Sequence, residues 1–370
     1  MAEAGIARSD WFHRFVLPSL AFKAVVIGGG YATGRELAEF FLPSGPRGGL
    51  MGLLLAMALW SVVCAAAFAF ARALGTYDYR SFFGALLGPV WPVFEVVYLL
   101  FLVLILAVVA AAAGEIGSAV LGLPPVAGTL ALVVGAAAVT MFGNRGAEGL
   151  FRYASIFIYV VYAGFLVLAL ASFGDRIGPA LASDAPTDGW VTGGVTYASY
   201  NVVAAVAVLP FLRRLNGRRD ALIAGALAGP LAALPALAFF LCMAAFHPAI
   251  ASEALPSDYL LRRLGQPWYL FVFQAMIFFA LLETSVGVLN TLNERIDETW
   301  RPGEGQSLSP AIRLAISLAV LLASAFAATA IGLIDLIASG YGAFGWIMFA
   351  IFVLPLLTIG VARLVRQALQ

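Results

Sequence analysis

Apolar residues run through this chain in long stretches, broken at regular intervals by short clusters of Gly, Pro and charge. A helix crosses the hydrocarbon layer of a bilayer with about 20 mostly apolar residues. On that scale the pattern predicts ten spanning helices, at roughly 12–42, 49–73, 90–117, 124–142, 150–173, 190–212, 219–246, 267–292, 309–330 and 338–365. The connections are short, as in Pro43-Ser44-Gly45-Pro46-Arg47-Gly48-Gly49 and Arg301-Pro302-Gly303-Glu304-Gly305. The stretch from Gly174 to Gly189 reads as one of the longer loops. No segment is long enough to form a separate soluble domain.

Two segments depart from a plain apolar span. The first meets Gly28-Gly29-Gly30-Tyr31-Ala32-Thr33-Gly34, followed at once by Arg35 and Glu36. Four glycines in seven positions cost a helix about 3–4 kcal/mol relative to alanine. Backbone groups freed there cannot be satisfied by lipid, so they must face protein, water, an ion or a solute. A glycine-rich surface for close helix packing would explain the small residues. It would not explain an Arg-Glu pair directly behind them. The sixth segment carries Thr192-Gly193-Gly194-Val195-Thr196-Tyr197-Ala198-Ser199-Tyr200-Asn201 before its apolar half. On its own, Asn201 reads as a polar contact between helices.

Position gives the two departures a common meaning. Five segments precede Gly174 and five follow Gly189, and the interrupted segment is the first of each five. A unit with an odd number of spans, inserted twice, enters with opposite topology. Paired interruptions at corresponding places in two halves are the sequence mark of a transporter site. The expected organisation is therefore all-α and polytopic. It comprises a first repeat at 1–173, a connecting loop at 174–189 and a second repeat at 190–370, with helix breaks near Gly28–Thr33 and Ser199–Val202.

Composition confirms the class and removes others. The chain has 370 residues, 62% hydrophobic and only 11% charged, where soluble domains carry about 25% charged residues. A net charge of +1, with no basic run on a polar background, argues against a nucleic-acid partner. Cys64 and Cys242 lie inside apolar segments, and His13 and His247 are the only histidines. No metal-ligand cluster and no cofactor is therefore expected. The first segment lacks the short apolar core and small-residue cleavage site of a secretory signal. With the N-terminus inside, basic residues divide fifteen to four in favour of that side. Both termini are then expected in the cytoplasm, with the chain in the cytoplasmic membrane.

The motif Gly28-Gly29-Gly30-Tyr31-Ala32-Thr33-Gly34-Arg35-Glu36 resembles the Gly-x-Gly-Phe-Ala-Ser-Gly-x-Glu signature of the YkvI-like membrane proteins. These belong to the amino acid–polyamine–organocation superfamily. Tyr197-Ala198-Ser199-Tyr200-Asn201 and Gly332-Leu333-Ile334-Asp335-Leu336-Ile337 fit the same family, and the similarity runs through nearly the whole chain. The resemblance implies the LeuT fold, two inverted five-helix repeats with the first and sixth helices unwound around the substrate. Two features depart from the pattern: a third consecutive glycine, and Arg35 where relatives often carry an uncharged polar residue.

Candidate site residues follow. A half-helix starting near Gly34 directs its N-terminal N–H groups toward an anion, while carbonyls freed before it suit a cation. Gly28, Gly29, Gly30, Tyr31, Thr33 and Gly34 would form that break. Arg35 can grip a carboxylate with two parallel hydrogen bonds. Its alternative role is an internal ion pair with Glu36, Glu39 or Glu115. Glu115 faces the same outer region, and Tyr197, Tyr200 and Asn201 would wall the pocket. Glu95, near the inner end of its segment, reads as structural. In sodium-coupled members of the fold, a Thr/Ser pair on the eighth helix meets first-helix carbonyls around sodium. The resemblance places Thr284, Ser285 and the carbonyls of Gly28 and Tyr31 in that role. The alternative role of those hydroxyls is a bond back to their own helix carbonyls. Lys23 is the only lysine. It is expected to reach Glu283 or the Thr284–Ser285 region, standing where relatives hold sodium, or else to extend to the cytoplasmic surface.

The leading function is secondary active transport of a small polar organic solute, an amino-acid-like zwitterion or carboxylate, by alternating access. Protons or sodium are the candidate coupling ions. A facilitated pore and a transporter-like sensor are the alternatives. An enzyme lacks any catalytic constellation in the sequence.

Overall fold

The computed structural model describes residues 11–141, 143–300 and 309–368. Arg8, Arg301 and the Arg301–Gly305 connection lie outside the described residues. Every regular element among the described residues is helical. Eight helices are long and apolar enough to cross a membrane, and Pro125–Thr140 is a shorter apolar one. The interrupted first segment completes the ten-helix arrangement.

That first segment breaks at two points. α1 (Leu17–Val26) begins with Pro18 in its first turn, where a missing N–H costs nothing. It stops at Ile27 (φ −86°, ψ 75°), and Gly28 is extended (φ −94°, ψ −175°). One helical turn follows, α2 (Gly29–Thr33). Gly34 then turns left-handed at φ 79° before α3 (Arg35–Phe41). The residues from Gly29 to Thr33 are therefore wound, and the open backbone is confined to Ile27 and Gly28. Gly34 is demanded twice. Its dihedral angle is costly for any residue with a Cβ, and a Cβ there would stand 2.7 Å from Phe239 and 3.2 Å from Pro256.

α4 (Gly45–Leu74) returns across the bilayer, and α5 (Tyr79–Leu87) is a short connecting helix capped by the Asp78 side chain. α6 (Trp91–Leu121), α7 (Pro125–Met141) and α8 (Gly143–Leu181) complete the first half. The stretch expected as a loop from Gly174 is helix as far as Leu181. Phe173 packs on Phe246 at 4.8 Å, and the Arg176 guanidinium lies 5.2 Å from the same ring. That anchor carries the helix beyond its apolar stretch, so the non-helical connection shortens to the residues before Trp190.

The sixth segment splits into α9 (Trp190–Asn201) and α10 (Ala204–Val208). Between them Val202 and Val203 tighten into short-range bonds, Ala205 N–H to Val202 O and Val206 N–H to Val203 O, both 2.9 Å. The interruption is thus a local overwinding, close to the expected place. The glycines upstream do other work: a Cβ at Gly193 would stand 2.0 Å from the Phe40 carbonyl oxygen, and one at Gly194 2.6 Å from that of Gly52. They let α9 press against the backbone of α3 and α4.

α11 (Arg218–Ala244), α12 (Pro256–Leu264), α13 (Pro267–Trp300) and α14 (Pro310–Ile331) follow. The last span, α15 (Leu333–Gln367), starts after Gly332 and contains wide π-turns at Leu336–Tyr341, Phe349–Val353 and Leu356–Gly360. π-turns inside helices are frequent at functional sites. Here the first of them delivers Tyr341 to the cavity described next.

Candidate functional site

Both interrupted segments border a cavity of about 580 Å³. Its walls come from α1, α2, α3, α6, α8, α9, α10, α11, α13 and the Tyr341 turn of α15. One end is open: Val25 lines it and is 52% exposed, and Gly287 there is exposed too. The other end is shut by buried side chains, among them Tyr31, Glu36, Tyr200 and Tyr341.

At the closed end the Tyr200 hydroxyl donates to Glu36 Oε2 at 2.5 Å, joining α9 to α3. The Tyr200 ring lies 4.8 Å from Tyr341 and 6.3 Å from Phe101. Tyr31 faces Tyr162 of α8 at 6.1 Å. Asn201 lines the cavity, and its amide donates to the Tyr197 carbonyl one turn back. At the backbone break, a Cβ on Gly28 would stand 3.5 Å from Thr284 Oγ1. The first-helix opening therefore meets a hydroxyl of α13, which itself donates to Ala280 O at 2.9 Å. Toward the open end Lys23 and Glu283 share the cavity wall. The Lys23 ammonium rests 5.2 Å from the Tyr159 ring centroid.

The structure thus brings Lys23, Gly28, Tyr31, Tyr200, Asn201, Glu283 and Thr284 to one cavity. Gly29 and Gly30 form the α2 turn beside it. Others stand back. Thr33 is buried, and its Oγ1 accepts from the Arg35 backbone N–H at 3.2 Å. Gly34 packs on Phe239 and Pro256. Tyr197 is buried behind Tyr200, against Trp60 and Phe41. Ser285 is buried and donates to its own helix at Leu281 O, 2.9 Å. Glu115, half-buried on α6, is not on the cavity wall. The Lys23 ammonium rests on the ring of Tyr159, and Glu283 lies on the same wall.

Arg35 is placed differently from the expectation of a carboxylate grip or of a pair with Glu115. Its guanidinium donates to the carbonyls of Ala251 and Glu253, each at 2.8 Å, and to Glu39 Oε2 at 2.5 Å. The reason is angular. Successive helix residues point about 100° apart, so Arg35 and Glu36 cannot both face the cavity. Glu36 takes the inward direction, and Arg35 meets the end of the short helical turn Ala249–Ser252, at the carbonyls of Ala251 and Glu253. The same arithmetic, applied to the sequence, says that only one of the two faces inward, and the rotation of α3 decides which. Tyr98, Phe101, Tyr162 and Tyr341 also line the cavity without a motif to announce them.

A second polar cluster joins α13 to α6 outside the cavity wall. Arg295 of α13 donates to Glu95 Oε1 of α6 at 3.1 Å, the Tyr79 hydroxyl donates to the same oxygen at 3.0 Å, and the Arg295 guanidinium stacks 3.7 Å from the Tyr79 ring. Arg14, before α1, is bound to Asp220 of α11 at 2.5 Å. Among the described residues, no group of three His, Cys, Asp or Glu side chains is placed to hold a metal ion.

This architecture, all-α and polytopic with its first segment broken and its sixth locally overwound, is the LeuT fold. MhsT, solved in complex with L-phenylalanine, superposes with a TM-score of 0.63 at 16% identity, over 95% of this chain and 97% of that one. A Na+-coupled sialic acid symporter in a substrate-bound outward-open state gives 0.61 at 14% identity, over 95% and 81%. The manganese transporter of Eremococcus coleocola gives 0.58 at 12% identity, over 95% and 79%. By sequence, the chain is 23% identical over 340 residues to the membrane protein YkvI of Bacillus subtilis, covering 90% of this chain and 92% of YkvI. The resemblance carried by the Gly28–Glu36 motif is the one this comparison returns. No family model matches the chain.

Proposed function

We propose that this protein is a secondary transporter that moves a small polar organic solute across the cytoplasmic membrane by alternating access. One observation carries the reading: a single cavity touches both helix interruptions, open at one end and closed by buried side chains at the other. A cavity of about 580 Å³ is the size of a small-molecule site. The similar solved structures act on an amino acid, a sialic acid and manganese. The acidic and aromatic lining here, with no metal-ligand group among the described residues, suits an organic solute better than a metal ion.

The excess of arginine on the N-terminal side supports an orientation with both termini in the cytoplasm. The open end, at Lys23 and Val25, is then the cytoplasmic one. The bundle carrying α1–α3 and α9–α10 would rock against the remaining helices. Lys23, on the same cavity wall as Gly28 and Thr284, would take the place of a bound sodium ion, making transport sodium-independent. Thermal-shift screening of the purified protein against amino acids, amines and organic acids, with sodium or with potassium, tests both parts. A ligand bound only by the folded state raises its apparent stability. A solute that stabilises the protein equally in both salts supports the reading. A solute that acts only with sodium overturns the role given to Lys23.

A further inference from the structure

The transporter reading leaves open the chemistry of its solute, and the following rests on that reading. We propose that the closed end of the cavity binds the solute through a positively charged organic group, an ammonium, held by the Glu36 carboxylate beside a cluster of aromatic rings.

Glu36 is 7% exposed and lines the cavity. It accepts a hydrogen bond from Tyr200 and makes no ion pair among the described residues. A carboxylate in so dry a place attracts a counter-charge far more strongly than one in water. Beside it three rings from three different helices pack against one another and line the cavity. Tyr200 and Tyr341 are 4.8 Å apart, Phe101 and Tyr341 5.8 Å, and Phe101 and Tyr200 6.3 Å. Aromatic faces carry partial negative charge and attract cations, ammonium groups among them. The π-turn that ends at Tyr341 supplies one of these rings.

An anionic solute finds the opposite. Its carboxylate would approach Glu36 as a like charge. Arg35, the residue best shaped to receive it, is committed to Ala251, Glu253 and Glu39 on the far side of α3. The cavity wall carries two carboxylates, Glu36 and Glu283, against one ammonium, Lys23. That ammonium sits toward the open end on the Tyr159 ring, so a cation resting on a tyrosine face is already a feature of this wall. A zwitterion would place its amine at Glu36 and its carboxylate toward Lys23. A simple amine would use the closed end alone.

The test uses the purified full-length protein and four probes: choline, the uncharged analogue of choline in which carbon replaces nitrogen, butylamine and butyrate. Binding is read by the shift in apparent Tm and by direct titration. Choline or butylamine should stabilise the wild type in a dose-dependent way, and the uncharged analogue and butyrate should not. Glu36→Gln keeps the side-chain shape and the Tyr200 contact, and should weaken cation binding about tenfold or more. Tyr341→Leu should weaken it less. Where Glu36→Gln does not fold, the contrast between choline and its uncharged analogue on the wild type decides alone. Binding of the uncharged analogue or butyrate without the cations overturns the ammonium assignment and leaves the transporter reading standing. Cation binding unchanged by Glu36→Gln, or the absence of any cation-induced shift, also overturns it. The transporter reading is then judged separately by solute exchange in proteoliposomes.

Discussion

Arg35 offers the sharpest separation between a structural and a solute-binding role. It is 3% exposed, and its guanidinium bridges α3 to the turn after α11 through two carbonyls and Glu39. Arg35→Ala removes all three contacts. It leaves the Ala251 and Glu253 carbonyls short of a donor and Glu39 short of its cation. Hydrogen bonds to a charged group contribute about 1.5–3 kcal/mol each. They are not additive here, since one group makes them all, and breaking a buried pair costs about 3–5 kcal/mol. We expect Arg35→Ala to destabilise the protein by about 3–5 kcal/mol. Arg35→Lys, which keeps the charge but not the planar fork, should cost roughly half as much. The assay is thermal unfolding in detergent, combined with hydrogen exchange over 34–41 and 249–253, where protection should fall together. Cation affinity, measured below the unfolding temperature, should change little. An Arg35→Ala protein with wild-type stability and lost solute binding would refute this assignment and return Arg35 to the solute.

Further outcomes follow from other contacts. Gly34→Ala should destabilise by about 1–2 kcal/mol for the left-handed backbone alone, and more because its Cβ meets Phe239 at 2.7 Å; Gly287→Ala, open within 4 Å, is the control with an unchanged Tm. Gly193→Ala should fail to yield a monodisperse protein in size-exclusion chromatography, because its Cβ would meet the Phe40 carbonyl at 2.0 Å, and backbone cannot swing aside. Asp220→Asn should free the segment before α1 from its ion pair with Arg14, seen as faster protease cleavage near Arg14 with little loss of global stability. Glu95→Gln and Arg295→Met, combined in a double-mutant cycle of unfolding, should show coupling of about 1–3 kcal/mol, and independent effects would deny that the pair holds α6 to α13.

Apolar periodicity was enough for the spans, because a bilayer enforces helix length and denies the backbone other partners. The glycines of the first segment marked an interruption correctly and misplaced its extent. Gly29–Thr33 winds as a turn because the opening needs only Ile27 and Gly28. In the sixth segment the glycines signalled close packing against Phe40 and Gly52, while the actual interruption falls on Val202 and Val203, whose side chains give no such warning. The site was less legible. Glu36 stood beside the more conspicuous Arg35, and only the rotation of α3 decides which of the two turns inward. Phe101 and Tyr341 come from segments distant in sequence, and a π-turn sets the angle of one of them. No one-dimensional pattern carries that. Glu115 looked like a partner for Arg35 on depth alone, yet the carbonyls of Ala251 and Glu253 were nearer, and irregular backbone cannot be read as an acceptor from composition.

Solute exchange in proteoliposomes tests the central claim most directly. Protein is reconstituted with an unlabelled solute inside, chosen as one that raises the apparent Tm, and uptake of the same solute, radiolabelled, is followed from outside. A carrier that alternates between two faces returns loaded faster than empty, so internal solute should accelerate labelled uptake to a transient excess, and Glu36→Gln should shift the effect to higher solute concentration. Labelled uptake that ignores the internal solute, or that matches protein-free liposomes, would contradict alternating access through this cavity.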